Sequence, residues 1–137
     1  MEVRHDKFGR GKFEARVAER IDAIWPDISR ALDQLPKIDQ IIAHRILGEL
    51  IEYACQTTHT GVIVAARRSV ASIPPDWLQA NFSPVANERI NFEDEWEYRR
   101  LLELIEEVSP AFLEQFVVRG LAASNWEVRE AAEDYKK

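Results

Sequence analysis

Apolar residues recur along most of this chain at steps of three and four, the spacing that gathers them on one side of an α-helix. The first such run spans residues 12–35, where Phe13, Val17, Ile21, Ile24, Ile28 and Leu32 form a single stripe. Pro26 interrupts it: proline has no N–H and crowds the carbonyl four residues earlier, so a break or kink is expected near Ile24 and Trp25. Two helical pieces sharing one buried side are the predicted result. Beyond Pro36, the positions Ile38, Ile41, Ile42, Ile46, Leu50, Ile51 and Ala54 predict a second long helix to about Cys55, ended by Thr57-Thr58-His59-Thr60-Gly61.

Val62-Ile63-Val64-Ala65-Ala66 has the β-branched character of a strand. However, Val62, Ala66, Val70 and Ile73 keep a helical spacing, and Thr58 or Thr60 can cap the start, so this segment reads as a central buried helix. Pro74-Pro75 opens a turn in which Asp76 can cap a short helical segment. Residues 81–91 carry the Ser, Pro and Asn content of a loop and read as the internal linker, too short to separate two domains.

The last third is the most regular. Tyr98, Leu101, Leu102, Ile105 and Val108 form a stripe whose first turn carries Glu93, Asp94 and Glu95, where negative charge meets the positive end of the helix dipole. Ser109-Pro110 restarts a helix with Phe112, Leu113, Phe116, Val117 and Leu121 on one side. Ser124-Asn125 caps a final helix carrying Val128, Ala131, Ala132 and Tyr135. Short connections between these three require antiparallel neighbours. The pattern as a whole predicts an all-α fold, one compact bundle of about six or seven helices over residues 1–137.

The segment Ser109-Pro110-Ala111-Phe112-Leu113, followed by Leu121-Ala122-Ala123-Ser124-Asn125-Trp126-Glu127-Val128-Arg129-Glu130-Ala131-Ala132, resembles the helical hairpins of HEAT and armadillo repeats. In such hairpins a polar turn precedes Val-Arg-x-Ala-Ala; the valine and alanines line the seam between stacked helices and the arginine stays in water. No second copy stands at a fixed period, so the resemblance implies one HEAT-like hairpin at the C-terminal end of a bundle, not an array.

Composition narrows the function. A chain of 137 residues, 46% hydrophobic, can bury a core, and no apolar run approaches the roughly 20 residues of a membrane span. The charged opening from Met1 to Lys7 does not read as a signal peptide, and a cytoplasmic, non-membrane protein is expected. Cys55 is the single cysteine, which excludes an internal disulfide and thiolate-rich metal modules. The five glycines stand singly and form neither a phosphate-cradling loop nor a dinucleotide fingerprint. Charge is regional: residues 1–91 balance 12 acids with 12 bases, whereas residues 92–137 carry 12 acids against 6 bases. An acidic surface repels nucleic acid and anionic lipid and attracts basic partners.

Few constellations carry chemistry. Glu52, Cys55 and His59 stand three and four apart, so one continuous helix would place a thiol, an imidazole and a carboxylate on one face, the beginning of a nucleophilic or ligand site, with His44 nearby in sequence. No metal set is complete: Glu2-x-x-His5 is isolated at the terminus and no His-x-x-x-His pair exists, so neither metal nor cofactor is expected. Arg4, Lys7, Arg10, Lys12, Arg16 and Arg20 form a basic flank diluted by acids. Arg67-Arg68 and Arg99-Arg100 could grip a phosphate or carboxylate, but their surroundings, Glu95, Glu97 and Glu103 for the second pair, predict intrahelical salt bridges.

Of Trp25, Trp77, Trp96 and Trp126, the acid-flanked Trp96 and the turn-adjacent Trp77 are the candidates for partial exposure. The leading expectation is a non-enzymatic interaction module whose Glu93, Asp94, Trp96, Glu97 and Glu127 meet a basic surface on a protein partner. Small acidic helical proteins of this kind resemble some bacterial immunity proteins, which cover a toxin's positively charged site. The alternative is a small enzyme or ligand binder with a pocket near Glu52, Cys55 and His59; a homo-oligomeric helper is a third reading.

Overall fold

A computed structural model describes residues 11–136. Glu2, His5 and the basic positions Arg4, Lys7 and Arg10 lie outside the described residues. Those residues form seven α-helices: α1 Lys12–Asp22, α2 Gln40–Cys55, α3 Thr60–Ala71, α4 Pro75–Arg89, α5 Glu95–Val108, α6 Leu113–Leu121 and α7 Trp126–Tyr135. Three 3-10 turns supplement them, at Ile28–Arg30, Leu32–Lys37 and Pro110–Phe112. The all-α expectation therefore holds, with α2 at the centre, packed against α1, α3, α4 and α5.

The centrality of α2 follows from its composition. Ala43, Ile46, Leu47, Leu50, Ile51, Ala54 and Cys55 are all buried, more of its circumference than a surface helix could cover. Asp39 fixes its start, accepting hydrogen bonds from the N–H groups of Ile41 and Ile42 at 2.9 and 3.2 Å. The segment expected to be a central helix is α3, which ends at Ala71 just short of Ile73 and starts without a threonine side-chain cap; it packs most closely on α2.

The N-terminal stripe is shorter in its first piece than the spacing implied. Helix α1 ends at Asp22, ahead of the expected break, and its carboxylate accepts the Ser29 N–H at 2.8 Å and the Ser29 hydroxyl at 2.7 Å. Asp27 adopts φ 63°, reversing the chain just after Pro26. The second piece is consequently not an α-helix but two 3-10 turns, which still bury Ile28, Leu32 and Leu35.

A larger correction concerns residues 81–91. The expected loop is the greater part of α4, a continuous helix of 15 residues. Pro75 opens it at the helix start, where a missing N–H costs nothing, and Asp76 sits in the first turn without capping. Leu78, Phe82, Val85 and Ala86 supply a buried face. The polar residues that suggested a loop bond back into the helix: Asn81 Nδ2 donates to the Trp77 carbonyl and Asn87 Nδ2 to the Ser83 carbonyl, each at 2.8 Å. Pro84 lies on the exposed side.

Helices α5, α6 and α7 pack against one another. Tyr98, Leu101, Leu102, Leu104 and Ile105 are fully buried, and the Tyr98 hydroxyl donates to the Phe116 carbonyl at 2.7 Å. Gly120 lets this contact form, because a Cβ there would collide with the Tyr98 hydroxyl. Ser109 makes no side-chain cap, and Pro110 starts a 3-10 turn ahead of α6, one turn later than expected. Val128, Ala131 and Ala132 bury the inner side of α7.

Candidate functional site

The starts of α5 and α7 lie side by side because acidic side chains hold them there. Asp94 caps α5, its Oδ1 accepting the Glu97 N–H at 3.0 Å. Glu97 reaches back over the preceding turn, where its Oε1 accepts from Gln56 Nε2 at 2.9 Å and from the Asn91 N–H at 3.3 Å. Asn125 caps α7 by accepting the Glu127 N–H at 2.9 Å. Glu93 joins the two helix starts: its carboxylate accepts the N–H groups of Ser124 and Asn125 at 3.1 and 2.7 Å, and its carbonyl accepts from Asn125 Nδ2 at 2.9 Å.

On this framework two tryptophans face water. Trp96, in the first turn of α5, is 65% exposed, and Trp126, the first residue of α7, is 62% exposed. Between these turns hydrogen bonding to Glu95, and the negative charge of Glu95, raise the Glu127 carboxyl above its ordinary range. Glu130 adds to the repulsion and Arg99 partly offsets it. Arg99 is already engaged, its Nε 3.0 Å from Glu95 Oε2 and its Nη1 3.3 Å from Asp134 Oδ2. Glu95, Glu127 and Glu130 together concentrate negative charge here, which favours a further cation placed among them.

The structure divides the five residues expected to meet a partner. Trp96 and Glu127 are exposed, while the carboxylates of Glu93, Asp94 and Glu97 are occupied by backbone and side-chain donors and position the surface. Asp94-Glu95-Trp96-Glu97 does carry the capping-box spacing, the sequence signal for that duty. The structure places Trp126, Glu95 and Glu130 on the same surface, beside Trp96 and Glu127. Trp126 lies off the Val128, Ala131, Ala132, Tyr135 stripe, which is the signal that could have found it. Trp77 is partly exposed as expected, half-buried against the core with its ring 6.1 Å edge-on from that of His44.

Glu52, Cys55 and His59 are not brought together. Helix α2 ends at Cys55, so the continuous face they required does not exist. Glu52 pairs with Arg89 at 2.6 Å. The Cys55 thiol is buried and its pKa is pushed far up by loss of water, with Arg67 and Arg100 opposing that effect. His59 lies in the link before α3, its ring 4.5 Å from that of Phe13. His44 Nε2 bonds Asn81 Oδ1 at 2.7 Å, a packing contact between α2 and α4. The paired arginines also depart from expectation: only Arg99 with Glu95 is an intrahelical bridge, whereas Arg67 pairs with Glu103 and Arg68 with Glu14 on other helices. Among the described residues no cluster of three His, Cys, Asp or Glu side chains is arranged to hold a metal ion, and no helix is long and apolar enough to cross a membrane.

Compared with protein-family models, with curated proteins and with solved structures, the chain finds no match.

Proposed function

We propose that this chain is a non-enzymatic, cytoplasmic protein-interaction module that receives a basic surface of a partner protein on the paired starts of α5 and α7. The observation that carries the reading is the exposed pair Trp96 and Trp126 beside the Glu95–Glu127 contact. Each tryptophan offers a large apolar face to desolvate and a π-surface to hold a cation, while the neighbouring carboxylates favour a lysine or arginine set among them. The α6–α7 hairpin, in its HEAT-like reading, is the frame that holds Trp126 in place. An immunity- or inhibitor-type protein, closing a positively charged site on its target, is the form of partner binding that this chemistry suits best.

Affinity capture from the native cell tests the reading at low and high salt, with three baits: wild type, Trp96→Ser/Trp126→Ser and Glu127→Lys/Glu130→Lys. These substitutions spare the caps made by Glu93, Asp94 and Glu97, so both variants should remain folded, with melting transitions as cooperative as that of wild type. The expected result is a stoichiometric basic partner that is lost at high salt and lost by both variants. Capture of no partner, or of one indifferent to both variants, overturns the proposal.

A further inference from the structure

Around the other side of Trp96, a groove of about 260 Å³ runs between α3 and α5. Ile63, Val64 and Trp96 give it an apolar wall, with Val64 40% exposed, and Arg67, Arg99 and Arg100 bring three guanidinium groups to the same space. Glu103 is the single carboxylate in the lining. It meets Arg67 at one point, Oε2 to Nη2 at 2.5 Å, and leaves the buried Arg67 Nε without a hydrogen-bond partner. Buried donors are rarely left so, and the Nε–Nη2 edge of an arginine is shaped for both oxygens of one carboxylate. Arg99 is bound from behind by Glu95 and Asp134. Arg100 donates to the uncharged Thr57 carbonyl, and no carboxylate pairs with it among the described residues. Positive charge therefore remains in a groove whose wall is apolar, between α3 and the first helix of the acidic third.

The geometry points to this groove as a binding site for a small carboxylate with an apolar body, its carboxylate on the Nε edge of Arg67 beside Arg100 and its body against Ile63, Val64 and Trp96. Glu103 holds Arg67 through a single contact, and the ligand's carboxylate displaces it. The groove shares Trp96 with the proposed partner surface, but it takes its carboxylate through Arg67 and Arg100, which that surface does not use, so it does not rest on that reading.

Backbone and indole amide shifts of the whole chain, followed by NMR during titration, provide the test. Four probes separate the chemistry: phenylacetate, benzyl alcohol, phenethylamine and inorganic phosphate. Phenylacetate alone should shift amides in α3 and α5 and the Trp96 indole in a saturable way. Glu103→Gln should tighten its binding at least about threefold, since the competitor for Arg67 is removed. Arg67→Gln and Arg100→Gln should each weaken it about tenfold or more. The tightening is a result that a folding defect cannot imitate. No saturable shift in the groove, equal response to benzyl alcohol, weaker binding by Glu103→Gln, or phosphate binding as tightly as phenylacetate overturns the assignment.

Discussion

Helices α4 and α5 both rest on α2, and they become helical by different means. Helix α5 carries its instructions locally: a capping aspartate, acids in its first turn and a clean stripe of buried residues. Helix α4 has no side-chain cap, an internal proline and asparagine on its buried side. Its hold on α2 includes a polar knot in which Asn81 Oδ1 accepts from Gln40 Nε2 at 2.5 Å and from His44 Nε2 at 2.7 Å. The difference teaches that α4 is helical because α2 is there, whereas α5 forms a post rigid enough to present Trp96.

Three substitutions probe that contrast. Asn81→Ala has the largest expected effect, because it strands the donors of Gln40 and His44 in a half-buried site. A loss of about 1–3 kcal/mol is expected by denaturant unfolding, with amide exchange rising in α4 before α5. Pro84→Ala acts in the opposite direction. It restores an N–H on the exposed side of α4 and should stabilise the protein by about 1 kcal/mol, narrowing the gap between the two helices. A neutral or destabilising outcome in chemical denaturation would mean that α4 needs its proline.

Glu127→Gln is the smallest of the three. The folded carboxyl of Glu127 is raised, so the folded state is favoured while that group holds its proton and loses this advantage as pH climbs through the raised value. Glutamine can keep the hydrogen bond to Glu95 without the charge. A small rise in melting temperature at neutral pH, disappearing below about pH 3, is the expected profile. A rise of equal size at both pH values would detach the effect from ionisation.

How far the chain could be read in advance follows from the same contrast. The helices α2, α3, α5 and α7 were legible because their apolar spacing is complete within each segment. Residues 81–91 were not, since the partners that hold Asn81 in a helix stand 37 and 41 residues away and no local pattern records them. The acidic region is legible in the composition, but the structural duty of Glu93 is not: it looks like one more charge until Ser124 and Asn125, 31 and 32 residues on, are placed against it. In the Cys55 neighbourhood the spacing was sound, but helix α2 stopped before His59 could share its face.

The grip of Glu93 on the turn before α7 also bears on how association would proceed. Binding normally immobilises loops and side chains at the moment of contact, and that ordering subtracts from affinity. Here the two helix starts are tied together in the unbound chain, so the relative placement of Trp96 and Trp126 is settled before any partner arrives. Under the proposed reading, a partner would meet both indole rings already placed, because the entropy of arranging them is lost once, during folding.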